Sequence, residues 1–587
     1  MKMSKKIRPL LAGVAVLALG MNSLVASAST AKLQAGGTIT VDLNETLAGF
    51  NVNNVNSNEF VLQEIMQLVW PTVYFVNNKL ALTLNTDLVT KVAVATKPVE
   101  TITYTINPKA VWSDGTPITA DDFIYNWQSQ SGNAAFTDVG GAAFQPAGTT
   151  GYSSIASVTG SNPAGSAACD AGSAANFNAG LCPNGNTVTV KFAAATPFAD
   201  WQSLFGMIVP AHQARKVGWN TGFNINGGGD EKTLLSGSWY YVSSYNQSAN
   251  TVVLKKNPTY WGKAGNLDSI VFAGSLDDTS GIPGIQSGTF NVFEPVSTSL
   301  AMIQQAKAAG TAISYNVQPG LQFEHFDFNE ANAYLHQLKV RQAIAYGTNR
   351  HQLIALTVGQ AAPSTQPLNN HMYMNTQPQY ANDGSVYNNV NVAKAKAFLK
   401  ASKMKMGKDG YFHPTYGPEK GKDFTLRISS TTGNPIRSQT EQVFQFQMKK
   451  IGIKISILNY AAGDLFGTVI PNGRYDIAEF AWVSTPFATG NNSLYCSYTN
   501  KANCGSNWVH FKNAAEDKLL KQAAAASNPA LEATLYNAAD KVLWSNMVTL
   551  PLYQKPVMTA WSSTYGNILP NASNVGVTWN AQNWGLK

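Results

Sequence analysis

Segments with the pattern of helices alternate with segments with the pattern of strands along most of this chain. In Gln439–Lys450 the apolar residues recur at a helical period, Gly452 ends that pattern, and isoleucines then alternate with polar residues over 453–457. Side chains two positions apart in a strand lie on one face, so these isoleucines share one side of a strand. Such units occur on both sides of the chain's middle, and they predict an α/β fold with several lobes.

Other segments indicate where single elements begin and end. Thr101–Ile106 alternates polar and apolar residues, as a half-buried strand does. Thr119 is followed by Asp122 at the spacing of a capping box, which predicts the start of a helix. The helical pattern of Leu338–Leu356 contains Asn349, which we interpret as a break between two helices.

Length and composition limit the class of protein. A single hydrophobic core stops growing at about 250–300 residues, so the length of this chain predicts two or three lobes. Its 587 residues are 44% hydrophobic and 13% charged, a composition that excludes a disordered chain. The formal net charge of +8 includes four basic residues at the extreme N-terminus, and the remainder does not suggest the clustered basic face of a nucleic-acid-binding protein.

Residues 1–28 have the three parts of a secretory signal peptide. Four basic residues precede the apolar stretch 10–19, and Ala26–Ala28 has the small-residue pattern of a cleavage site. An uncleaved membrane anchor is the alternative, although no later segment has the ~18 consecutive apolar residues of a spanning helix. We expect a soluble extracytoplasmic protein, periplasmic or secreted, without the cysteine that a lipoprotein has after its apolar stretch.

The four cysteines form two close pairs in sequence, Cys169 with Cys182 and Cys496 with Cys504. In an oxidising compartment each pair predicts a local disulfide. A zinc site is the alternative, but neither pair has C-x-x-C spacing or a suitably placed histidine. The first pair lies in 132–186, which is rich in Gly, Ala, Ser and Asn. We interpret that segment as a long surface excursion held by its disulfide.

The sequence contains no common local catalytic signature. It has no G-x-x-x-x-G-K-[ST] loop, no G-x-S-x-G elbow and no H-E-x-x-H motif, and its seven histidines are scattered. The adjacent carboxylates Asp121/Asp122 and Asp277/Asp278 are expected to be caps and turns, because sequence neighbours do not face each other. A local search of this kind does not test for carboxylates that converge from distant segments. The pattern predicts a protein that is not an enzyme and uses no cofactor or metal.

Five motifs resemble, in the same order, those of one protein family. They are AVWSDGTPITADDF at 110–123, NPTYW at 257–261, VRQAI at 340–344, GRYDI at 473–477 with Trp482 beyond, and LPLY at 550–553. The set resembles the family 5 extracytoplasmic solute-binding proteins, the peptide, dipeptide and nickel receptors of ABC importers. Arg341 is expected to pair locally on its helix. The family's Asp-Arg pair is Asn349-Arg350 here, which changes one ion pair and no function.

The resemblance implies a periplasmic-binding-protein-like fold of type II, with two α/β lobes joined by a hinge and an extra subdomain inserted in lobe I. The expected ranges are 29–74, 205–321 and 552–587 for lobe I, 75–204 for the inserted subdomain and 322–551 for lobe II. The chain is expected to cross between the lobes near Gln318–Phe326 and near Pro551–Tyr553.

The resemblance also implies how such a protein works. An extended ligand lies between the lobes, pairs through its backbone with strand edges, and is enclosed when the lobes close. We expect a monomeric receptor that binds a peptide-like solute and delivers it to the permease subunits of an ABC importer, with no nucleic-acid partner. The alternative is an envelope regulatory protein on the same fold, which binds a glycan or glycolipid without import.

One departure from the family concerns the α-ammonium group of a bound peptide. The family's peptide receptors hold it with an Asp shortly after the tryptophan of the ligand loop, and here Thr485 stands in that place after Trp482. A threonine cannot neutralise a buried cation. Unless Glu324 or another acid replaces the missing Asp, a blocked peptide, a glycan or another neutral solute is favoured.

Ten residues are candidates for contact with the ligand because of their positions in the family's fold. The candidates form three groups, an Asn-rich loop, the first crossing and the ligand loop: Asn51, Asn53 and Asn54; Phe323, Glu324 and His325; and Trp482, Ser484, Thr485 and Phe487. The alternative for the asparagines is a solvated loop, for Trp482 core packing, and for His325 an ordinary hinge position. A lone histidine is weak support for a nickel-chelate receptor.

Overall fold

The computed structural model describes most of the chain after its first 32 residues. The described ranges are 33–161, 169–170 (backbone alone), 185–223, 234–274, 278–417, 420–497, 504–526 and 528–587. The predicted signal peptide 1–28 lies outside these ranges, as does Cys182, and with it the predicted Cys169–Cys182 disulfide. Within the described ranges, no helix combines the length and the apolar character needed to cross a membrane.

Strands and helices alternate along the described chain. The strands are β1 Thr38–Val41, β2 Tyr74–Val76, β3 Leu82–Leu84, β4 Val89–Ala95, β5 Thr101–Ile106, β6 Ile155–Ser161, β7 Cys169–Asp170, β8 Thr187–Phe192, β9 Tyr240–Asn246, β10 Thr251–Lys256, β11 Ser269–Ala273, β12 Val292–Phe293, β13 Ile313–Phe328, β14 Met404–Met406, β15 Phe412–Pro414, β16 Thr425–Ser429, β17 Lys454–Ile457, β18 Ile477–Val483, β19 Thr549–Ser562, β20 Tyr565–Gly566 and β21 Gly585–Leu586. The helices are α1 Phe60–Met66, α2 Ala120–Gln130, α3 Ala211–Val217, α4 Gly281–Ser287, α5 Leu300–Ala308, α6 Leu338–Gly347, α7 Arg350–Leu356, α8 Val392–Ala401, α9 Pro435–Ile451, α10 Ala462–Asp464, α11 Asn492–Tyr495, α12 Ala514–Ala524 and α13 Pro529–Asn546.

One ten-stranded sheet runs through the molecule in the order β17-β16-β18-β13-β19-β12-β1-β11-β10-β9. Its longest strands are the antiparallel pair β13 and β19, whose register runs from Ile313 opposite Ser562 to Asp327 opposite Thr549. We call the β12 side of this pair the first half of the sheet and the β18 side the second half. Because β13 and β19 serve both halves, they are the two strands by which the chain passes between them. The predicted lobe boundaries remain a prediction.

A second, antiparallel sheet has the order β4-β5-β8-β6-β7. Strand β6 lies between β8 and β7, and Ile155 and Val158 on it are buried. The interpretation of 132–186 as a surface excursion is therefore wrong over Ile155–Ser161. The strand was missed because small polar residues dominate the composition of this segment. Its few apolar side chains are nevertheless sufficient to pack on the sheet.

Several local predictions are confirmed. Thr119 and Asp122 form the capping box of α2, with the Thr119 N–H donating to Asp122 Oδ2 at 2.9 Å. Asn349 is the N-cap of α7, and Gly452 ends α9 with a φ of 86° in the left-handed region. Helix α9 begins earlier than predicted, because Asn434 caps it and Pro435 fits its first turn. The α/β class predicted from the sequence is confirmed.

Candidate functional site

The candidates of the first crossing and of the ligand loop meet where β13 pairs with β18. In this register Phe323 lies opposite Trp482, and His325 lies opposite Phe480. Phe323 is fully buried, whereas Trp482 is half-buried. The sequence-predicted candidates are thus brought together by two adjacent strands at the middle of the large sheet.

Trp482 belongs to an aromatic cluster that also contains Phe480 and Trp508. Its ring centroid lies 5.1 Å from that of Phe480 and 5.0 Å from that of Trp508. The cluster therefore packs inward and also offers part of an indole face to an apolar group. Phe480 was missed although it lies two positions before Trp482 on the same strand face. Trp508 gave no sequence signal.

A disulfide lies shortly before Trp508 in the chain. Cys496 and Cys504 are bonded, with their Cα atoms 5.5 Å apart, which confirms the second predicted pair. The Tyr475 hydroxyl group donates a hydrogen bond to the Trp508 carbonyl at 2.9 Å. This hydrogen bond fixes the backbone of Trp508, whose indole packs beside Trp482.

His325 lies beneath this cluster and has no exposed surface. Its ring lies 4.4 Å from Phe480 and 6.0 Å from Trp482 between centroids. Nε2 lies 3.2 Å from an Asp327 carboxylate oxygen, but neither ring nitrogen has a hydrogen-bond partner among the described residues. In this conformation His325 packs in the aromatic core rather than facing a solute.

Glu324 lies in a buried ion cluster. Its Oε1 is 3.0 Å from Arg437 Nη2 and 3.5 Å from Lys555 Nζ. Burial by itself would raise the pKa of Glu324, but the charges of Arg437 and Lys555 outweigh burial and lower that pKa below its ordinary value. The Glu324 charge is therefore already balanced within the protein by Arg437 and Lys555.

The ion cluster joins the two halves of the sheet. Arg437 lies on α9 in the second half, and the cap of that helix reaches the first half, where Asn434 Nδ2 donates to Ser297 Oγ at 2.9 Å. Glu45, just after β1, interacts electrostatically with Lys555 and Arg437, and burial raises its pKa. Its Oε2 has no hydrogen-bond partner among the described residues. Sequence reasoning missed Glu45, which lies in an ordinary polar loop pattern.

The asparagines of the first candidate group have structural partners. Asn51 Nδ2 donates to the Trp219 carbonyl at 2.8 Å, and Asn54 Nδ2 donates to the Asn220 carbonyl at 3.3 Å. Both side chains are buried, so they are neither solvated nor available to a solute. Asn53 is half-buried, donates to the Met207 carbonyl at 3.0 Å, and stays a candidate.

The ligand loop is held against the crossing strand. The Ser484 N–H donates to the Leu321 carbonyl at 2.6 Å, and Ser484 itself is buried. Thr485 Oγ1 accepts from the Phe487 N–H at 3.2 Å, and both side chains are half-buried. The loop 484–491 contains no acid of its own.

Acids from distant segments do converge beside this loop. Thr489 Oγ1 donates to Asp200 Oδ2 at 2.7 Å, and the Asp200 carboxyl group also contacts that of Glu532 on α13. Burial, followed by the charge and the hydrogen bond of Asp200, raises the pKa of Glu532 to about 8. Tyr373 and Tyr536 are the other titratable groups that face this pair. The pair was not predictable because its two members lie far apart in sequence.

This carboxyl pair predicts that raising the pH weakens the fold. Between the ordinary pKa of 4.5 and the folded value of about 8, Glu532 binds more protons in the folded protein than in the unfolded chain, so stability falls across this window. Glu532→Gln is neutral at every pH. We expect it to match the wild type at pH 5 and to exceed it at pH 8 by on the order of 2 kcal/mol in free energy of unfolding.

Thermal unfolding at the two pH values measures this difference. Asp464→Asn is the matched control, since Asp464 is exposed and its replacement is expected to change neither value. A Glu532→Gln protein that is equally stable to the wild type at both pH values contradicts the shared-proton interpretation.

The described residues include one group with the ligand types of a metal site. Asp409, His413 and Asp423 place one possible ligand atom each within 4.8 Å of one another on the surface. Lys454 Nζ lies 2.9 Å from Asp423, however, and His413 Nε2 lies 3.0 Å from Asp409. Asp423 thus has a lysine partner and Asp409 a histidine partner, so the group is better described as a surface network of polar and charged side chains.

The chain is similar to a known protein family and to several known proteins. Residues 83–503 match the family described as bacterial extracellular solute-binding proteins, family 5 Middle. The oligopeptide-binding protein OppA of Mycobacterium tuberculosis (strain ATCC 25618 / H37Rv) is 28% identical over 557 residues, which cover 94% of this chain and 85% of that protein.

Two solved structures show the same fold. The periplasmic EDTA-binding protein EppA has a TM-score of 0.81 at 22% identity, with 94% of this chain and 97% of that chain covered. The oligopeptide-binding protein AppA from Bacillus subtilis, in complex with a nonapeptide, has a TM-score of 0.76 at 18% identity, with 95% and 100% covered. The periplasmic-binding-protein-like architecture expected from the sequence motifs is thereby confirmed.

Proposed function

Because the chain belongs to the family 5 bacterial extracellular solute-binding proteins, which are not enzymes, we propose that it is the peptide receptor of an ABC importer. The likeness to OppA over nearly the whole chain supports a peptide as the solute. Strands β13 and β19 connect both halves of the large sheet, which supports a hinge at this place and closure of the halves over the ligand. A permease is the partner that receives the bound peptide.

The peptide class is proposed from the charges at the candidate site. Thr485 is uncharged, and Glu324 is neutralised by Arg437 and Lys555. A buried ammonium group requires an opposite charge, and neither residue supplies one. The Asp200 carboxyl group beside the loop is already bonded to Thr489 and to Glu532. The receptor is therefore proposed to select peptides through main-chain hydrogen bonds and apolar contacts with Trp482, without recognising a free N-terminus. The neutralised state of Glu324 is the observation that carries this proposal.

Matched peptides test this proposal. One peptide sequence is prepared with a free and with an acetylated N-terminus, and both are titrated into the purified protein by calorimetry. We expect dissociation constants within about threefold of each other, because a difference of one charge-assisted hydrogen bond would exceed tenfold. A free peptide that binds more than about tenfold tighter overturns the proposed class. Oligosaccharide binding without any peptide binding supports the regulatory alternative instead.

Thr485→Asp is expected to restore the preference for a free N-terminus. A carboxylate at this position adds about 1.5–3 kcal/mol for a charged partner, so the free peptide gains about tenfold or more over the acetylated one. Thr485→Asn is the matched control, since it has the same shape without the charge and is expected to show no preference. Equal affinities for both peptides in Thr485→Asp place the peptide N-terminus away from this loop.

A further inference from the structure

The positive charge of the chain is concentrated in one segment. Residues 394–454 contain 13 Lys and Arg against four Asp and Glu, whereas the rest of the chain contains 28 against 29. The expectation that the basic residues are not clustered is therefore wrong. A count over the whole chain concealed a local excess.

This segment folds as one unit at the outer end of the second half. Helix α8, the hairpin β14–β15, the end of α9 and the start of β17 are joined by backbone hydrogen bonds. The Phe412 N–H donates to the Gly452 carbonyl at 2.8 Å, and the Lys454 N–H donates to the Phe424 carbonyl at 3.0 Å. The apolar side chains of the unit, such as Leu399 and Phe412, are buried in the core of the second half. Lys394 contacts the buried Tyr346, whereas most of the other lysines of the unit are exposed.

Six exposed lysines lie on neighbouring elements of this unit, and we call them the lysine face: Lys400, Lys403, Lys405, Lys408, Lys449 and Lys450. Across the described ranges, no carboxylate lies within ion-pair distance of any of the six. The nearby acids are used elsewhere, Asp409 by His413 and Asp423 by Lys454. As far as the described residues show, the six ammonium groups have no carboxylate partner and can meet an external anion.

Two exposed aromatic rings accompany the lysine face. Phe446 is 56% exposed and Tyr416 is 44% exposed. The Lys450 Nζ lies 4.4 Å from the centre of the Phe446 ring, and the Lys403 Nζ lies 5.2 Å from the centre of the Tyr416 ring. An exposed ring beside an ammonium group suits the boundary of a lipid bilayer, where the ring enters the acyl region and the cation meets a phosphate.

We propose that the lysine face docks on a membrane surface of anionic lipids. Lysines act as point charges that attract a diffuse anionic surface, whereas recognition of a defined acidic group favours the fork of arginine. Both arginines of the segment have internal partners, Arg437 in Glu324 and Arg427 in the Arg474 carbonyl. Helix α9 separates Arg437 near the crossing from Lys450 by about 20 Å at 1.5 Å per residue, so the docked protein keeps its candidate site accessible.

Vesicle co-sedimentation tests this proposal with the full protein. Vesicles of phosphatidylcholine alone are compared with vesicles that also contain phosphatidylglycerol, at low and at high salt. We expect the protein to bind the anionic vesicles but not the neutral ones, and we expect this binding to be lost at high salt. The six lysines of the lysine face changed to glutamine are expected to lower that binding by at least about tenfold.

A second variant carries the same change of charge elsewhere. It replaces six exposed lysines of other regions by glutamine: Lys79, Lys91, Lys97, Lys109, Lys191 and Lys263. This control is expected to retain most of the binding. If both variants lose the same amount of vesicle binding, the proposal is overturned, because the net charge of the protein alone would then explain the binding. Phe446→Ser with Tyr416→Ser is expected to make the remaining binding more sensitive to salt.

Two further results decide against a membrane. Equal sedimentation with neutral and anionic vesicles overturns the proposal, and so does stronger binding to soluble poly-glutamate than to anionic vesicles, which points to an acidic protein partner. Melting temperatures of the variants show whether they fold. Peptide titration of the lysine-face variant is expected to be unchanged, so a failure of membrane docking is distinguishable from a failure of the proposed receptor function.

Discussion

Replacing Arg437 by methionine is expected to lower the free energy of unfolding by about 3 kcal/mol, the lower end of the range for breaking a buried ion pair. Arg437 Nη2 lies 3.0 Å from Glu324 Oε1, and both side chains are almost completely buried. Lys555 remains 3.5 Å from Glu324 in the variant, so the carboxylate keeps one partner. The loss is for this reason smaller than that of a carboxylate left alone.

The pH dependence distinguishes this cause from a packing defect. The pKa of Glu324 is lowered in the folded protein, so its charge stabilises the fold above the ordinary value of 4.5 and this contribution is lost as the pH falls through the folded value. The difference in free energy of unfolding between the wild type and Arg437→Met is therefore expected to be largest at neutral pH and to become smaller below about pH 4.5. Denaturant unfolding at a series of pH values measures it.

A double-mutant cycle supplies the control. Glu324→Gln removes the charge from the other partner, and Arg437→Met combined with Glu324→Gln is expected to be less destabilised than the sum of the single changes. Additive losses, or a loss in Arg437→Met that persists unchanged at acidic pH, contradict an electrostatic role for this pair.

The elements that the sequence predicted correctly depend on residues close together in the chain. The capping box of Thr119 and Asp122, the break at Asn349 and the stop at Gly452 each act over a few residues, where the physical rules are local. The five ordered motifs also allowed the whole fold to be predicted, because each of them marks a separate element of the family's architecture.

Interactions between distant segments were not predictable in the same way. Glu324 and Arg437 are 113 residues apart, and no local pattern indicates that they pair. Asn51 and Asn54 have the composition of a solvated loop, yet both are buried because their amides satisfy backbone carbonyls of another segment. The lysine face differs from these cases, since a charge count in a sliding window along the sequence would have revealed it.

Arg350 makes several buried hydrogen bonds that the sequence did not indicate. The motif comparison suggests the change of one ion pair at Asn349-Arg350. In the structure, Arg350 is fully buried and is paired with no carboxylate of the described ranges. Its Nη1 donates to the Leu368 and Pro551 carbonyls at 2.7 and 2.9 Å. Its Nη2 donates to Asn369 Oδ1 at 2.6 Å and to Asn388 Oδ1 at 2.8 Å.

These bonds join helix α7, two loops and strand β19 at the crossing. Burial lowers the pKa of Arg350 to about 9, which leaves the guanidinium group charged at neutral pH. Arg350→Met is therefore expected to leave several buried acceptors without donors and to lower the free energy of unfolding by about 3–4 kcal/mol. Arg350→Lys keeps the charge but cannot reach four acceptors, and we expect it to recover less than half of that loss.

Arg427→Met is the matched control, because Arg427 is only half-buried, and its expected loss is below about 1 kcal/mol. If Arg350→Met is as stable as this control in denaturant unfolding, the hydrogen bonds at the crossing do not hold the two strands in place.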